Sequence, residues 1–211
     1  MRLAGLDMTR QKPRTLIFDL GGVLVDVRPR EMLQRLAREA GCTPEQLEAV
    51  LLDPQLLHPL ELGHTTPEQY FQRLTARVPL RLAFQEFIQA WNSILSENAS
   101  HTQMFQRLSS RYTVVVLTNT NVLHDQFIRR SWPVLERAHH WIASYQVGLR
   151  KPDPAIFQLA LQQAQAEPAS TVYVDDVQEH IQSARHLGVG AIQFTEPMCL
   201  ADELRAVGVQ W

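Results

Sequence analysis

The chain has 211 residues, which suits one ordinary domain or a core with a small inserted lobe, and its 45% hydrophobic content is enough for a real core. Twenty basic against twenty-two acidic side chains leave it near neutral with no long run of like charge, which disfavours nucleic acid and membrane surfaces as partners. The first residues, Met1-Arg2-Leu3-Ala4-Gly5-Leu6-Asp7, lack the apolar stretch of a signal peptide, and no segment approaches the roughly 20 apolar residues of a membrane span, so a cytoplasmic location is expected. Cys42 and Cys199 stand far apart without the paired spacing of a metal or redox site and are assigned no role.

Thr15-Leu16-Ile17-Phe18 is an apolar, β-branched run that ends at Asp19 and the turn Leu20-Gly21-Gly22. This is the pattern of a strand buried on both faces of a parallel sheet, with a carboxylate at its carboxyl end, where ligands collect in open α/β sheets. About eighty residues with little strand signal follow, rich in Leu, Ala, Gln, Arg and Glu at helical spacing. Helices are expected at Glu31 to Ala40 and Ala83 to Ile94, and after Thr43-Pro44-Glu45-Gln46 and Thr66-Pro67-Glu68-Gln69. Each of those two tetrads reads as an N-cap, a proline at the first helical position and acidic or amide residues in the first turn. Phe84, Phe87, Ile88 and Trp91 recur at helical spacing and are read as packing.

Beyond Asn98, further strands are expected at Thr113 to Leu117, Trp141 to Tyr145, Thr171 to Val174 and Gly190 to Phe194. They alternate with amphipathic stretches near Ala155 to Gln165, Glu179 to Leu187 and Ala201 to Val207. That βαβ rhythm predicts a Rossmann-like three-layer α/β/α core with a mainly parallel sheet. The expected organisation is a core of residues 14 to 28 and 98 to 211 with an inserted helical cap of about four helices over 29 to 97.

Polar groups gather where these strands end: Asp19; Thr118 and Asn119; Lys151; and Asp175 with Asp176. Singly, each has an ordinary structural role as a turn, cap or solvated loop residue. As an ordered set at the carboxyl ends of one parallel sheet they converge on a single crevice. The set Phe18-Asp19-Leu20-Gly21-Gly22-Val23-Leu24, Leu117-Thr118-Asn119, Arg150-Lys151-Pro152 and Val174-Asp175-Asp176 resembles the haloacid dehalogenase superfamily, most of whose members are phosphatases. Leu117 to His124, Glu61-Leu62-Gly63-His64-Thr65-Thr66 and Asp19-Leu20-Gly21 look like a bacterial subgroup typified by the α-D-glucose 1-phosphate phosphatase. His180 departs from it, standing where that subgroup usually has Asn.

The resemblance implies Mg²⁺-dependent hydrolysis of a small phosphomonoester, a sugar phosphate among the candidates, through an aspartyl-phosphate. Asp19 is then the nucleophile; Asp19, Asp175 and the Gly21 carbonyl hold the metal, with Asp176 in support; and Thr118, Asn119 and Lys151 bind the phosphoryl group. Chemistry supports the same roles, because a carboxylate can attack phosphorus while a divalent cation and an ammonium neutralise the dianion. Gly21 stands where ordinary members carry the acid that protonates the leaving group, and His58, Glu61 and His64 are the candidate cap contacts. Two other readings accompany the phosphatase: a metal-independent 2-haloacid dehalogenase, whose leaving group needs no proton, and a weakly active module binding a phosphometabolite or a protein. The expected partner is a small phosphorylated metabolite, and the assembly a monomer or homodimer.

Overall fold

A computed structural model describes residues 11–195 and 198–211, so the stretch Met1 to Asp7 lies outside the described residues. In chain order, β1 (Thr15–Phe18) and β2 (Val25–Val27) precede α1 (Arg30–Ala40), α2 (Pro44–Leu51), α3 (Pro54–Glu61), α4 (Pro67–Arg77) and α5 (Phe84–Asn92). Then come β3 (Leu95–Glu97), α6 (Ala99–Leu108), β4 (Thr113–Thr118), α7 (Val122–Ser131), β5 (His140–Ala143) and α8 (Ser144–Val147). The last elements are α9 (Pro154–Gln163), β6 (Thr171–Asp175), α10 (Gln178–His186), β7 (Gly190–Gln193) and α11 (Leu200–Ala206). No helix among the described residues is long and apolar enough to cross a membrane.

Five strands form one parallel sheet in the order β5-β4-β1-β6-β7. The chain leaves β1 toward β4 on one side and returns to β6 on the other, so β1 sits at the switch point, and the crevice opens at its carboxyl end. Alternation along the strands divides the core. Leu16, Phe18, Val114, Val116, Val172 and Val174 pack with α6, α7 and α11, whereas Ile17, Val115, Leu117 and Tyr173 pack with α9 and α10. The expected Rossmann-like three-layer architecture is what the chain adopts.

Between β2 and β3, which pair antiparallel, the helical segment buries its own cluster, including Leu36, Leu47, Leu60, Tyr70, Leu74, Phe87 and Trp91. Thr43 and Thr66 each form a complete capping box, with Gln46 and Gln69 returning the bond to the cap backbone. Tyr70 and Trp91 belong to this packing, and the Tyr70 hydroxyl donates to the Leu51 carbonyl at 2.8 Å. The segment holds five helices, not about four: α3 was hidden by its two prolines. Pro54 occupies a first-turn position and Asp53 caps the helix by accepting from the Gln55 N–H, while Pro59 lies inside it.

Strand boundaries also differ by a residue or two, most at β5. The run Trp141 to Tyr145 ends as a strand at Ala143, and Ser144 opens the helical turn α8. The Ser144 hydroxyl accepts from the Thr120 N–H at 3.0 Å and donates to the Thr120 carbonyl at 3.1 Å, tying this turn to the loop after β4.

Gly63, just past α3, has φ of +71° and lies against the Tyr145 carbonyl, which any Cβ there would overlap. Gly41, at the end of α1, has φ of +66° with open space around it. Gly41→Ala is therefore expected to lose only the left-handed backbone cost, about 1–2 kcal/mol, while Gly63→Ala loses clearly more. Urea denaturation of the two variants checks the order, and an equal loss would show that the close approach at Gly63 contributes nothing.

Candidate functional site

The site begins with register. Ile17 lies beside Tyr173 and Phe18 beside Val174, and the Asp19 N–H continues the ladder by donating to the Val174 carbonyl at 2.9 Å. One step further along, Asp19 and Asp175 stand side by side at the carboxyl ends of β1 and β6. Lys151 arrives from the loop after β5 and α8, on the edge of the sheet beyond β4, and places Nζ 2.8 Å from Asp19 Oδ1 and 2.7 Å from Asp175 Oδ2. Lys151 and Asp175 are fully buried and Asp19 is 8% exposed.

Asn119 sets the lysine. Its side-chain amide donates to the Lys151 carbonyl at 2.9 Å and its side-chain oxygen accepts from the Lys151 N–H at 2.8 Å, so both ends are closed on one residue. The second N–H of the same amide is the one that the expected phosphate-donor role would use. Thr118 is buried at the end of β4 beside Ala143, and Asn121 caps α7 by accepting from the Leu123 and His124 N–H groups.

Asp175 is the most heavily engaged carboxylate. Besides Lys151 it accepts from the Tyr173 hydroxyl and from the Val177 N–H at 2.7 Å, and His180 Nδ1 lies 3.0 Å from each of its oxygens. Tyr173 was missed, although the alternation of a strand puts it on the same face as Asp175 two residues later. His180 was noted only as a departure; the first turn of α10 turns it back onto the carboxylate, which spacing alone does not show.

The charges are unequal. Two buried carboxylates face one ammonium. Burial, together with the charge of Asp175, raises Asp19 to about 7 against the pull of Lys151 and the Leu20 N–H. Burial also works to raise Asp175, but Lys151 and His180 prevail and hold it well below the usual carboxylate range. Lys151 is desolvated, yet the two carboxylates keep it above its ordinary value. The excess negative charge and the hard oxygen donors of Asp19 and Asp175 fit a divalent cation. Ligand atoms of Asp19, Asp175 and His180 all lie within 4.8 Å of one another.

The remaining candidates are placed around this trio. Gly21 bridges to Val25 in the turn, and the Asp176 carboxylate fills the space that a side chain on Gly22 would need, so Asp176 borders the turn outside the Asp19–Asp175–His180 group. Glu61 is buried and pairs with Arg150 at 3.0 Å, one residue before Lys151. His58 is half-buried and His64 exposed, and neither has a hydrogen bond or ion pair with Asp19, Lys151 or Asp175 among the described residues. Asp26 organises the connection after β2 by accepting from Asn98 and Arg28. Cys42 and Cys199 are free thiols.

Removing the ammonium strands two buried carboxylates. Lys151→Met is expected to lose about 3–5 kcal/mol of stability at pH 8, read by urea denaturation. Asp19 predicts a pH dependence. Its proton is held more tightly in the folded state, so its contribution is favourable at low pH and is lost as the pH rises through about 7. In metal-free buffer, Asp19→Asn should melt a few degrees above the wild type at pH 8, with the difference shrinking toward pH 4; a constant difference would refute this.

Relatives and solved structures are similar to this chain in sequence and in fold. The D-ribitol-5-phosphate phosphatase of Bacteroides thetaiotaomicron is 24% identical over 85% of this chain and 91% of its own length. A sesquiterpene phosphatase of Aspergillus oryzae is 24% identical over 91% of this chain and 95% of its own. The crystal structure of a haloacid dehalogenase family enzyme from Bacteroides thetaiotaomicron, in complex with magnesium and inorganic phosphate, has the same fold. It matches with a TM-score of 0.82 at 21% identity, covering 92% of this chain and 100% of that one. The family model of the haloacid dehalogenase-like hydrolases matches residues 13–188, and the chain belongs to that family of enzymes.

Proposed function

We propose that the protein is a Mg²⁺-dependent phosphatase of small phosphomonoesters, working through an aspartyl-phosphate on Asp19. The observation that carries this reading is the buried arrangement of Asp19 and Asp175 about Lys151 at the switch point of the sheet. The curated phosphatases similar to the chain, and the related fold that holds magnesium and phosphate, support it.

Asp19, Asp175 and the Gly21 carbonyl are the groups that would hold Mg²⁺, with Asp176 in support, and the ion supplies charge neutralisation of the phosphoryl oxygens. Asp19 Oδ1 accepts from the Leu20 N–H at 2.7 Å and from Lys151, whereas Oδ2 has no protein hydrogen bond among the described residues. Oδ2 is thus the attacking oxygen: its lone pair forms the bond to phosphorus as the ester P–O bond breaks. Water then displaces the carboxylate from phosphorus, returning Asp19 and inorganic phosphate. The Thr118 hydroxyl and Lys151 donate to the phosphoryl oxygens, and Asn119 acts by holding Lys151.

The helical segment 29–97 serves as a cap over a core of 14–28 and 98–211, a division supported by its separate apolar cluster. Glu61, joined to Arg150, tethers that cap beside the site, and no side chain at position 21 protonates the leaving oxygen. This favours leaving groups that need little proton assistance. A sugar 1-phosphate is such a substrate, in keeping with the resemblance to the glucose 1-phosphate phosphatase subgroup.

A phosphate-release screen over sugar 1-phosphates and polyol and sugar 5-phosphates, with Mg²⁺ and with EDTA, tests the reading. Release should need the cation and fall at least roughly a thousandfold in Asp19→Asn. Gly21→Asp adds a group of the kind worth about 10²–10⁴ in rate, and should help the alkyl phosphates more than the 1-phosphates. Its Cβ would sit 3.2 Å from Val27 Cγ2, a small adjustment. No release from any substrate, or release undiminished in Asp19→Asn, overturns the proposal. Chloride release from 2-chloropropionate in EDTA establishes a dehalogenase instead.

A further inference from the structure

Resting on the reading of Asp19 and Asp175 as the cation-holding pair, we propose that His180 is a third protein ligand. It makes a mixed imidazole–carboxylate site that takes a first-row transition cation such as Mn²⁺ or Co²⁺ more tightly than Mg²⁺.

Three observations carry this. First, the ligand atoms of Asp19, Asp175 and His180 fall within 4.8 Å of one another, close enough to share one ion, and all three residues are buried. Second, the imidazole already faces inward. Nδ1 lies 3.0 Å from both Asp175 oxygens, and the helix that carries the ring is fixed at its start by the Val177 N–H on Asp175 Oδ1, at 2.7 Å. Ile181 and Ala184 on the same helix are buried against the sheet, which holds the helix and the backbone of His180 in place. Third, the donor set is not what Mg²⁺ prefers. Mg²⁺ favours oxygen ligands and retains several waters, whereas imidazole nitrogen suits the transition metals, whose affinities for such sites rise along the first row.

The exchange on binding balances. Nδ1 gives up its hydrogen bond to Asp175 and donates its lone pair to the ion, and the ring proton resides on Nε2. Lys151 and the Tyr173 hydroxyl remain on Asp175, so that carboxylate keeps its orientation when His180 turns to the metal. Mg²⁺ is retained as the working cation by abundance, because availability as well as affinity decides occupancy.

The test is binding and spectroscopy on the full chain. Calorimetric titrations with MnCl₂ and MgCl₂ should show tighter Mn²⁺ binding in the wild type. His180→Asn and His180→Gln should lower Mn²⁺ affinity by roughly tenfold or more while changing Mg²⁺ affinity much less. Pulsed electron paramagnetic resonance of the Mn²⁺-bound wild type should show a directly bound ¹⁴N, replaced by the ¹⁵N pattern when the protein is labelled with [¹⁵N]histidine. That measurement needs no variant, so a misfolded His180 substitution leaves the proposal testable. Mn²⁺ bound at a site lost in Asp19→Asn but without nitrogen coupling overturns the role of His180 and leaves the phosphatase reading standing. Failure of the wild type to bind either ion, or binding indifferent to Asp19→Asn, overturns both.

Discussion

Everything at the carboxyl end of the sheet depends on one buried ammonium between two carboxylates. Lys151 is the only cation in hydrogen-bond range of both Asp19 and Asp175 among the described residues, and it is fully buried. A desolvated ion trio is tolerated only when its geometry is held from outside, since a misplaced partner leaves a bare charge in a poor solvent for it. The surrounding structure supplies that constraint. The Asn119 amide closes on the Lys151 backbone, the Leu20 N–H fixes Asp19, and Tyr173, Val177 and His180 fix Asp175. The remaining imbalance of charge is what fits the site to a divalent cation.

That constraint also explains how the helical segment reaches the chemistry. Arg150, adjacent to Lys151, is paired with Glu61 at the end of α3, and Gly63 in the next turn accepts the close approach of the Tyr145 carbonyl. The segment is joined at its base by β2 and β3 and at its side by these two contacts. Glu61, a candidate cap contact in the sequence, is therefore paired with Arg150 and joins the stretch Glu61 to Thr66 to the loop that carries Lys151.

Much of the fold was legible because it follows from local rules. The continuous apolar runs of β1, β4 and β6 could only be buried parallel strands, and the Thr-Pro-Glu-Gln tetrads announced α2 and α4 through capping chemistry. α3 was not legible, because prolines at 54 and 59 break the usual helical pattern while tertiary packing of Leu56 and Leu60 sustains the helix. The end of β5 was missed for a related reason: Ser144 turns the chain to satisfy backbone groups of Thr120, a partner twenty-four residues away that no local window contains. Tyr173 lay within reach of strand alternation, but an aromatic residue in a buried strand reads as packing until its hydroxyl is given a partner.

By itself the sequence determined the type of the elements, the three-layer core and which polar residues stand at strand ends, because periodicity, capping and strand position are local properties. It named Asp19, Thr118, Asn119, Lys151, Asp175 and Asp176 as a set. Only the tertiary structure decided what that set is worth: which oxygen of Asp19 has no hydrogen bond among the described residues, that Asn119 serves Lys151, that Glu61 serves Arg150, and that His180 faces Asp175. Those are questions of distance and direction between segments far apart in the chain. They are settled by sheet register and helix packing, to which the residue order contributes only through the fold as a whole.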